Sequence, residues 1–123
     1  MTVVRKIRCI CKMRELFQAL SLLEGQLVSG YGITLNEAVV LCSVGDGSVL
    51  AGTIAGCTGM SPSHASKIIS HVEKKGLLER KVAESDKRCM YFTLTPEGRR
   101  LLHAIDARGV EVPSSLEFFF TGD

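Results

Sequence analysis

Residues 61–94 read SPSHASKIISHVEKKGLLERKVAESDKRCMYFTL. Ser61 followed by Pro62 is a helix start: the serine hydroxyl accepts an early backbone N–H, and proline suits the first helical position, where no N–H is needed. The helix that opens there runs to about Lys75 and stops at Gly76. Its apolar residues, Ala65, Ile68, Ile69 and Val72, recur at i, i+3, i+4 and i+7 and form one buried stripe. Leu77 to Val82 then reads as a strand, Glu84 to Arg88 as a polar tip, and Cys89 to Leu94 as the returning strand. In the second strand Met90, Phe92 and Leu94 point one way and Cys89, Tyr91 and Thr93 the other.

Working outward, Thr34-Leu35-Asn36-Glu37 is a capping box that opens a helix over about 35–44. Leu35, Ala38, Val39, Leu41 and Cys42 are its residues available for burial. Gly45-Asp46-Gly47 forces a turn. Residues from about 49 to 57 read as a short helix weakened by Gly52 and Gly56, each costing roughly 1 kcal/mol relative to alanine. Packing through Leu50, Ile54 and Ala55 has to hold it. Thr58-Gly59 makes a tight turn, and the small Ala55, four residues before Gly59, lets the next helix cross closely. The chain order is therefore helix, helix, short helix, turn, helix, hairpin, helix. The fold class is mainly α with a small β-hairpin wing, a winged helix-turn-helix.

At the N-terminal end, residues from about 5 to 29 read as a helix. Ile7, Ile10, Met13, Phe17, Leu20, Leu23 and Leu27 share one face, which Leu16 and Leu22 widen. That breadth suits either a broad core-facing stripe or two faces, one on the domain and one on a partner. Gly30 and Gly32 end it. Downstream, Thr95-Pro96 caps a helix over about 96–107 that packs through Leu101, Leu102 and Ile105. Gly109 and Pro113 break it before the apolar Leu116–Phe120.

The chain has 123 residues, the length of one ordinary domain. Fifteen Lys and Arg against thirteen Asp and Glu leave a net charge of +2. The charge is unevenly spread: residues 1–14 hold five bases and no acid, residues 15–60 four acids and no Lys or Arg, and residues 61–88 seven bases and four acids. Such basic zones point weakly to an anionic partner. No apolar run approaches membrane-span length and no secretory signal is recognisable, so a cytoplasmic protein without membrane contact is the expectation. The five cysteines are then expected to be reduced thiols. Cys9 and Cys11, flanked by Arg8 and Lys12, are candidate redox thiols, since a reactive cysteine needs a basic neighbourhood. The alternative is small, partly buried side chains. No C-x2-C pair exists, and His64, His71 and His103 lie at no ligand spacing, so no metal or other cofactor is expected. No nucleophile, base and orienting group come together in sequence, which argues against an enzyme.

The function-bearing surface is read from the helix at Ser61. Opposite its buried stripe it presents Ser61, Ser63, Lys67, Ser70 and Lys74, with His64, Ser66 and His71 beside them. Hydroxyls and imidazoles can meet base edges, lysines neutralise phosphates, and a helix N-terminus favours an anion. A merely solvated polar face is the competing reading. The hairpin adds Arg80, Lys81, Lys87 and Arg88. Asp86 beside two cations can hold an arginine in a fixed pose for a narrow minor groove; the competing reading is a charged turn guarding a strand edge.

The stretch from Met60 to Leu102 resembles the signature region of the multiple-antibiotic-resistance regulator (MarR) family. The likeness lies in S-P-S, V-E-K-K-G-L-L-E-R, D-K-R and L-T-P-E-G-R-R-L-L, in that order and spacing. The resemblance implies a homodimeric transcription regulator, usually a repressor, on a palindromic site in double-stranded DNA. By that likeness the helix from Ser61 enters the major groove, Lys87 and Arg88 reach the flank, and Asp86 orients the wing. It also implies release by a small-molecule effector or by thiol oxidation. The single domain 1–123 divides accordingly into an N-terminal dimerisation helix (5–32), a winged core (34–94) and a C-terminal helix and tail (95–123). Three features depart from the family pattern: Lys87 stands where a second arginine is usual, the helix from Ser61 has no arginine, and Gly109 and Pro113 interrupt the expected C-terminal dimerisation helix. The alternative function is a winged-helix module that docks a protein without binding DNA.

Overall fold

The computed structural model describes residues 10–83 and 89–121. The elements are α1 (Ile10–Tyr31), α2 (Leu35–Val44), β1 (Val49–Leu50), α3 (Ala51–Thr58), α4 (Pro62–Lys74), β2 (Leu78–Val82), β3 (Met90–Leu94) and α5 (Pro96–Arg108), then a 3-10 turn (Ser114–Leu116) and the one-turn α6 (Glu117–Phe120). The three strands form an antiparallel sheet in the order β1-β3-β2. The core lies where α2, α3 and α4 meet this sheet: Val40, Leu41, Ile54, Ile69, Val72, Leu78, Phe92 and Leu94 are all buried there.

Most element starts follow the sequence cues. Thr34 Oγ1 accepts the Glu37 N–H at 3.2 Å and Glu37 Oε1 accepts the Thr34 N–H at 2.8 Å, completing the capping box. Thr95 Oγ1 caps α5 through the Gly98 N–H at 3.0 Å. Gly59 and Gly76, both at φ +75°, take the left-handed conformation that ends α3 and α4.

The region from 49 to 57 is a correction. Val49 and Leu50 are a short strand, paired Val49 to Phe92 and Leu50 to Tyr91, and the helix begins only at Ala51. Leu50, expected to anchor a helix, is 39% exposed; Ile54 and Ala55 hold α3 instead. In α2, Leu35 and Cys42 face solvent, while Glu37, Val40, Leu41 and Val44 are buried. The widest departure is α1. Of its apolar stripe only Leu27 is buried, together with Ala19; Ile10, Met13, Leu16, Phe17, Leu20 and Leu22 are all exposed, Phe17 by 74%. The helix meets the rest of the chain at its C-terminal end and along the tail. Glu24 Oε2 accepts the Leu35 N–H at 2.9 Å, the Tyr31 hydroxyl donates to the Gly109 carbonyl at 2.6 Å, and the Gln26 side chain pairs with the Glu111 backbone in both directions. Leu116, buried, continues this strap along α1. Residues 5–9 of the expected N-terminal helix lie outside the described residues.

Two contacts fix how α4 leaves the core. The first is a buried carboxylate. Glu37 is 3% exposed, and its Oε1 accepts from Lys75 Nζ at 2.7 Å; the same ammonium donates to the Gly32 carbonyl at 3.0 Å. Burial pushes the Glu37 carboxyl up, but the bonds from Lys75 and Thr34 and the Lys75 charge outweigh it, leaving the group below its ordinary value. The second is a close backbone approach. Gly98, in the first turn of α5, lies so near Leu77 that a Cβ there would collide with the Leu77 carbonyl oxygen. That oxygen accepts the Thr95 N–H at 3.1 Å, and Thr95 Oγ1 donates to the Gly76 carbonyl at 2.7 Å.

Both contacts make testable demands. Gly98→Ala forces backbone from backbone and lowers stability by about 1–3 kcal/mol or more, read as a fall in denaturation midpoint; an unchanged midpoint contradicts the packing. Because the folded Glu37 pKa is depressed, its stabilisation is fully present above the unfolded pKa and is lost as pH falls through the folded value. Glu37→Gln therefore costs about 1–3 kcal/mol at neutral pH and flattens the acid limb of a melting-temperature profile. A profile parallel to that of the wild type shows that Glu37 carries none of the acid sensitivity.

Candidate nucleic-acid interface

Helix α4 is built so that one side is committed to the core and the other to its surroundings. Ala65, Ile68, Ile69 and Val72 are buried. Ser61, Ser63, His64, Ser66, Lys67, His71 and Lys74 are exposed and Ser70 is half-buried. The 3.6-residue period alone separates the two sets. At the N-terminal end Ser61 Oγ accepts the His64 N–H at 3.2 Å and lies 3.5 Å from Ser63 Oγ. Two hydroxyls therefore stand beside the free backbone donors of the first turn, where the helix dipole is positive.

The turn that leads in is tightly tied. The Gly59 N–H donates to the Ala55 carbonyl at 3.0 Å, and the Thr58 hydroxyl folds back to the Ile54 carbonyl at 2.8 Å. α3 and α4 thus cross with a three-residue connection, the short geometry of a helix-turn-helix. Past α4 the chain leaves through Gly76 into β2, and β2 pairs with β3 from Leu78–Leu94 to Val82–Met90. The hairpin stem is a wing beside α4.

On that wing Lys81 points outward, 3.6 Å from Glu79. Arg80, grouped by sequence with the wing's basic residues, does something different: its guanidinium pairs with Glu73 on α4 and lies over the Phe92 ring. Its alternation with buried Leu78 contained the signal, since residues two apart in a strand share a face. Asp86, Lys87 and Arg88, read from the sequence as the wing tip, lie outside the described residues, as does Cys9.

Cys11 is exposed on α1 and Cys57 on α3. Partial desolvation and the nearby Asp106 carboxylate both push the Cys42 thiol up, which keeps it protonated and a poor nucleophile. Among the described residues no group of three or more His, Cys, Asp or Glu is arranged to hold a metal ion, and no single helix is long and apolar enough to cross a membrane.

Residues 34–98, just over half of the chain, match the model of the winged helix DNA-binding domain family. A 47-residue segment is 34% identical to the transcriptional repressor MprA of Escherichia coli K12, covering 38% of this chain and 27% of MprA. The match thus spans about a quarter of that curated relative. Among solved structures, CouR from Rhodococcus jostii RHA1, bound to p-coumaroyl-CoA, is 26% identical with a TM-score of 0.69, over 90% of this chain and 76% of that one. AbsC, a MarR family transcriptional regulator from Streptomyces coelicolor, shares the fold with a TM-score of 0.67 at 24% identity, over 97% of this chain and 82% of that one. With the capped α4, its polar outer face and the β2–β3 wing, the family match shows that the chain belongs to the winged helix DNA-binding domain family.

Proposed function

We propose that this protein is a sequence-specific, DNA-binding transcriptional repressor that acts as a homodimer on a palindromic operator. The observation that carries the reading is the outer face of α4. Hydroxyls, imidazoles and two lysines are presented together, and the one acid on that helix, Glu73, is already paired with Arg80. Ser61, Ser63, His64, Ser66, Ser70 and His71 meet base edges and phosphate oxygens, while Lys67 and Lys74 neutralise phosphates. Lys87 and Arg88 grip the flank, with Asp86 orienting them.

The exposed apolar side of α1 supports pairing of two copies. Ile10, Met13, Phe17 and Leu22 leave a surface too apolar for a solvated helix, and Phe118 and Phe119, at 73% and 76% exposed, extend it from the tail. Residues 5–32 and 95–123 then supply the dimer interface and residues 34–94 read DNA. A cleft of about 470 Å³ between Tyr31, Lys75, Glu97 and Arg100 offers room for a small-molecule effector beside the base of α4. CouR, in its ligand-bound structure, is a precedent for such an effector. Oxidation of Cys9 or Cys11 is the other release route; Cys11 lies on α1, the helix that the dimer would share.

Selection of bound duplexes from a random pool tests the reading directly. Inverted half-sites about one helical turn apart are expected; recovery of no enriched sequence overturns it. Lys67→Ala weakens binding to the selected duplex and reduces the magnitude of the salt slope by about 1.8, the contribution of two phosphate contacts, one from each protomer. An unchanged slope removes Lys67 from the interface. Phe17→Glu shifts the mass in solution from dimer to monomer and weakens operator binding with it. A dimer that survives this change places the interface elsewhere.

A further inference from the structure

Helix α4 carries a single acid. Glu73 falls in line with Ser66 and Ser70, on the side that the proposed function turns toward a duplex. A bare carboxylate there would repel phosphates and weaken the interface. It is not bare. Arg80 Nη2 lies 2.8 Å from Glu73 Oε1 and Arg80 Nε 3.3 Å from Oε2, a two-pronged pairing. The third nitrogen, Nη1, reaches Met90 Sδ at 3.5 Å, and the guanidinium carbon stands 5.4 Å from the centre of the Phe92 ring. Phe92 is 3% exposed and the Arg80 side chain 43%, so the guanidinium covers the rim of the core from the solvent side. The fork, the sulfur and the ring hold the guanidinium in one place. The planar fork of arginine allows this, and a lysine could not reproduce it.

The pairing adds a charged link, on the solvent side, between two parts already joined by the Lys75–Leu77 turn and by the buried packing of Ile69 and Val72 with Leu78 and Phe92. Glu73 is on the recognition helix; Arg80, Met90 and Phe92 are on the wing. We infer that Glu73 and Arg80 form a brace that sets the angle of the wing against α4 and cancels the carboxylate on the DNA-facing side, so that Arg80 is a positioning residue and not a phosphate contact. The inference rests on the DNA-binding reading for its consequence but not for the brace itself.

Glu73→Gln, Arg80→Gln and the double variant test it by two measurements. One is affinity for the selected duplex over a range of salt concentrations. The other is hydrogen exchange of the free protein in residues 78–83 and 89–94. Removing a negative charge from the face should tighten binding if Glu73 merely repels DNA. The brace requires the opposite: each single change weakens binding about 5- to 10-fold, and the double variant is no worse than the weaker single, as coupled partners behave. The salt slope of Arg80→Gln stays at the wild-type value, and the hairpin stem exchanges faster in all three variants. Tighter binding by Glu73→Gln, a slope reduced by about two phosphates' worth (one per protomer) in Arg80→Gln, or unchanged exchange in the stem overturns the brace. If the wild type binds no duplex, the DNA reading fails, and the exchange measurement still decides whether wing and helix are coupled.

Discussion

The segment Lys75-Gly76-Leu77 is where α4 becomes the wing, and it is held from three sides. From the helix, the Leu77 N–H reaches the Val72 carbonyl at 3.2 Å and the Gly76 N–H the Glu73 carbonyl at 2.9 Å. This paired termination requires the positive φ of Gly76. From α5, Thr95 bonds both the Gly76 and the Leu77 carbonyls, and Gly98 lets the helix lie against them. From α2, Glu37 takes the Lys75 ammonium. A buried carboxylate with a partner this close is strongly destabilised when the partner is removed, because the remaining charge has no water to turn to. The orientation of α4 relative to the rest of the molecule is thus overdetermined, as a surface that must match another molecule's geometry requires.

The α1 helix is positioned by a different kind of contact. Its C-terminal end is stitched to the segment after α5 by Tyr31–Gly109 and Gln26–Glu111, while Arg108 lies over the Tyr31 ring. These bonds are polar and exposed, so each contributes little alone. Beyond Ala19 the helix has few buried side chains to anchor it. Its apolar face meets the aromatic tail around Leu16, Leu20 and Leu116, leaving an apolar hollow of about 450 Å³. A helix attached in this way depends on further apolar burial for its rigidity. That dependence makes the geometry of the whole molecule sensitive to what covers α1.

Much of the fold was legible because local chemistry fixes it. Ser61-Pro62, Gly76 and Thr95-Pro96 mark their boundaries by capping and backbone freedom, which act within a few residues. The residues of α4 sorted correctly by helical period. What escaped is what distant partners decide. Two residues are too few for an alternating pattern, so β1 exists only through its pairing with Phe92 and Tyr91. Glu37 was legible as a capping residue but not as a buried one, since its partner Lys75 is 38 positions away. Arg80 carried a positive charge among other positive charges, and composition hid the strand face it shares with Leu78, opposite Phe92. The stripe on α1 was read correctly as apolar, but no period says whether the molecule itself covers such a stripe.

The composition of the α4 face gives these supports their functional weight. Arginine, asparagine and glutamine, the long side chains that read purines with two bonds at once, are absent from Pro62–Lys74. Serine hydroxyls are short, so on the proposed reading they touch base edges only if the helix backbone comes deep into the groove. A long arginine can absorb an ångström of misplacement by changing rotamer; a serine cannot. Readout by short side chains therefore moves the burden of specificity from the contacts to the frame that holds them. The Glu37–Lys75 bond, the Gly98–Leu77 approach and the Glu73–Arg80 pairing all act on that frame. A change in any of them alters which sequences fit before it alters how strongly the lysines attract phosphate.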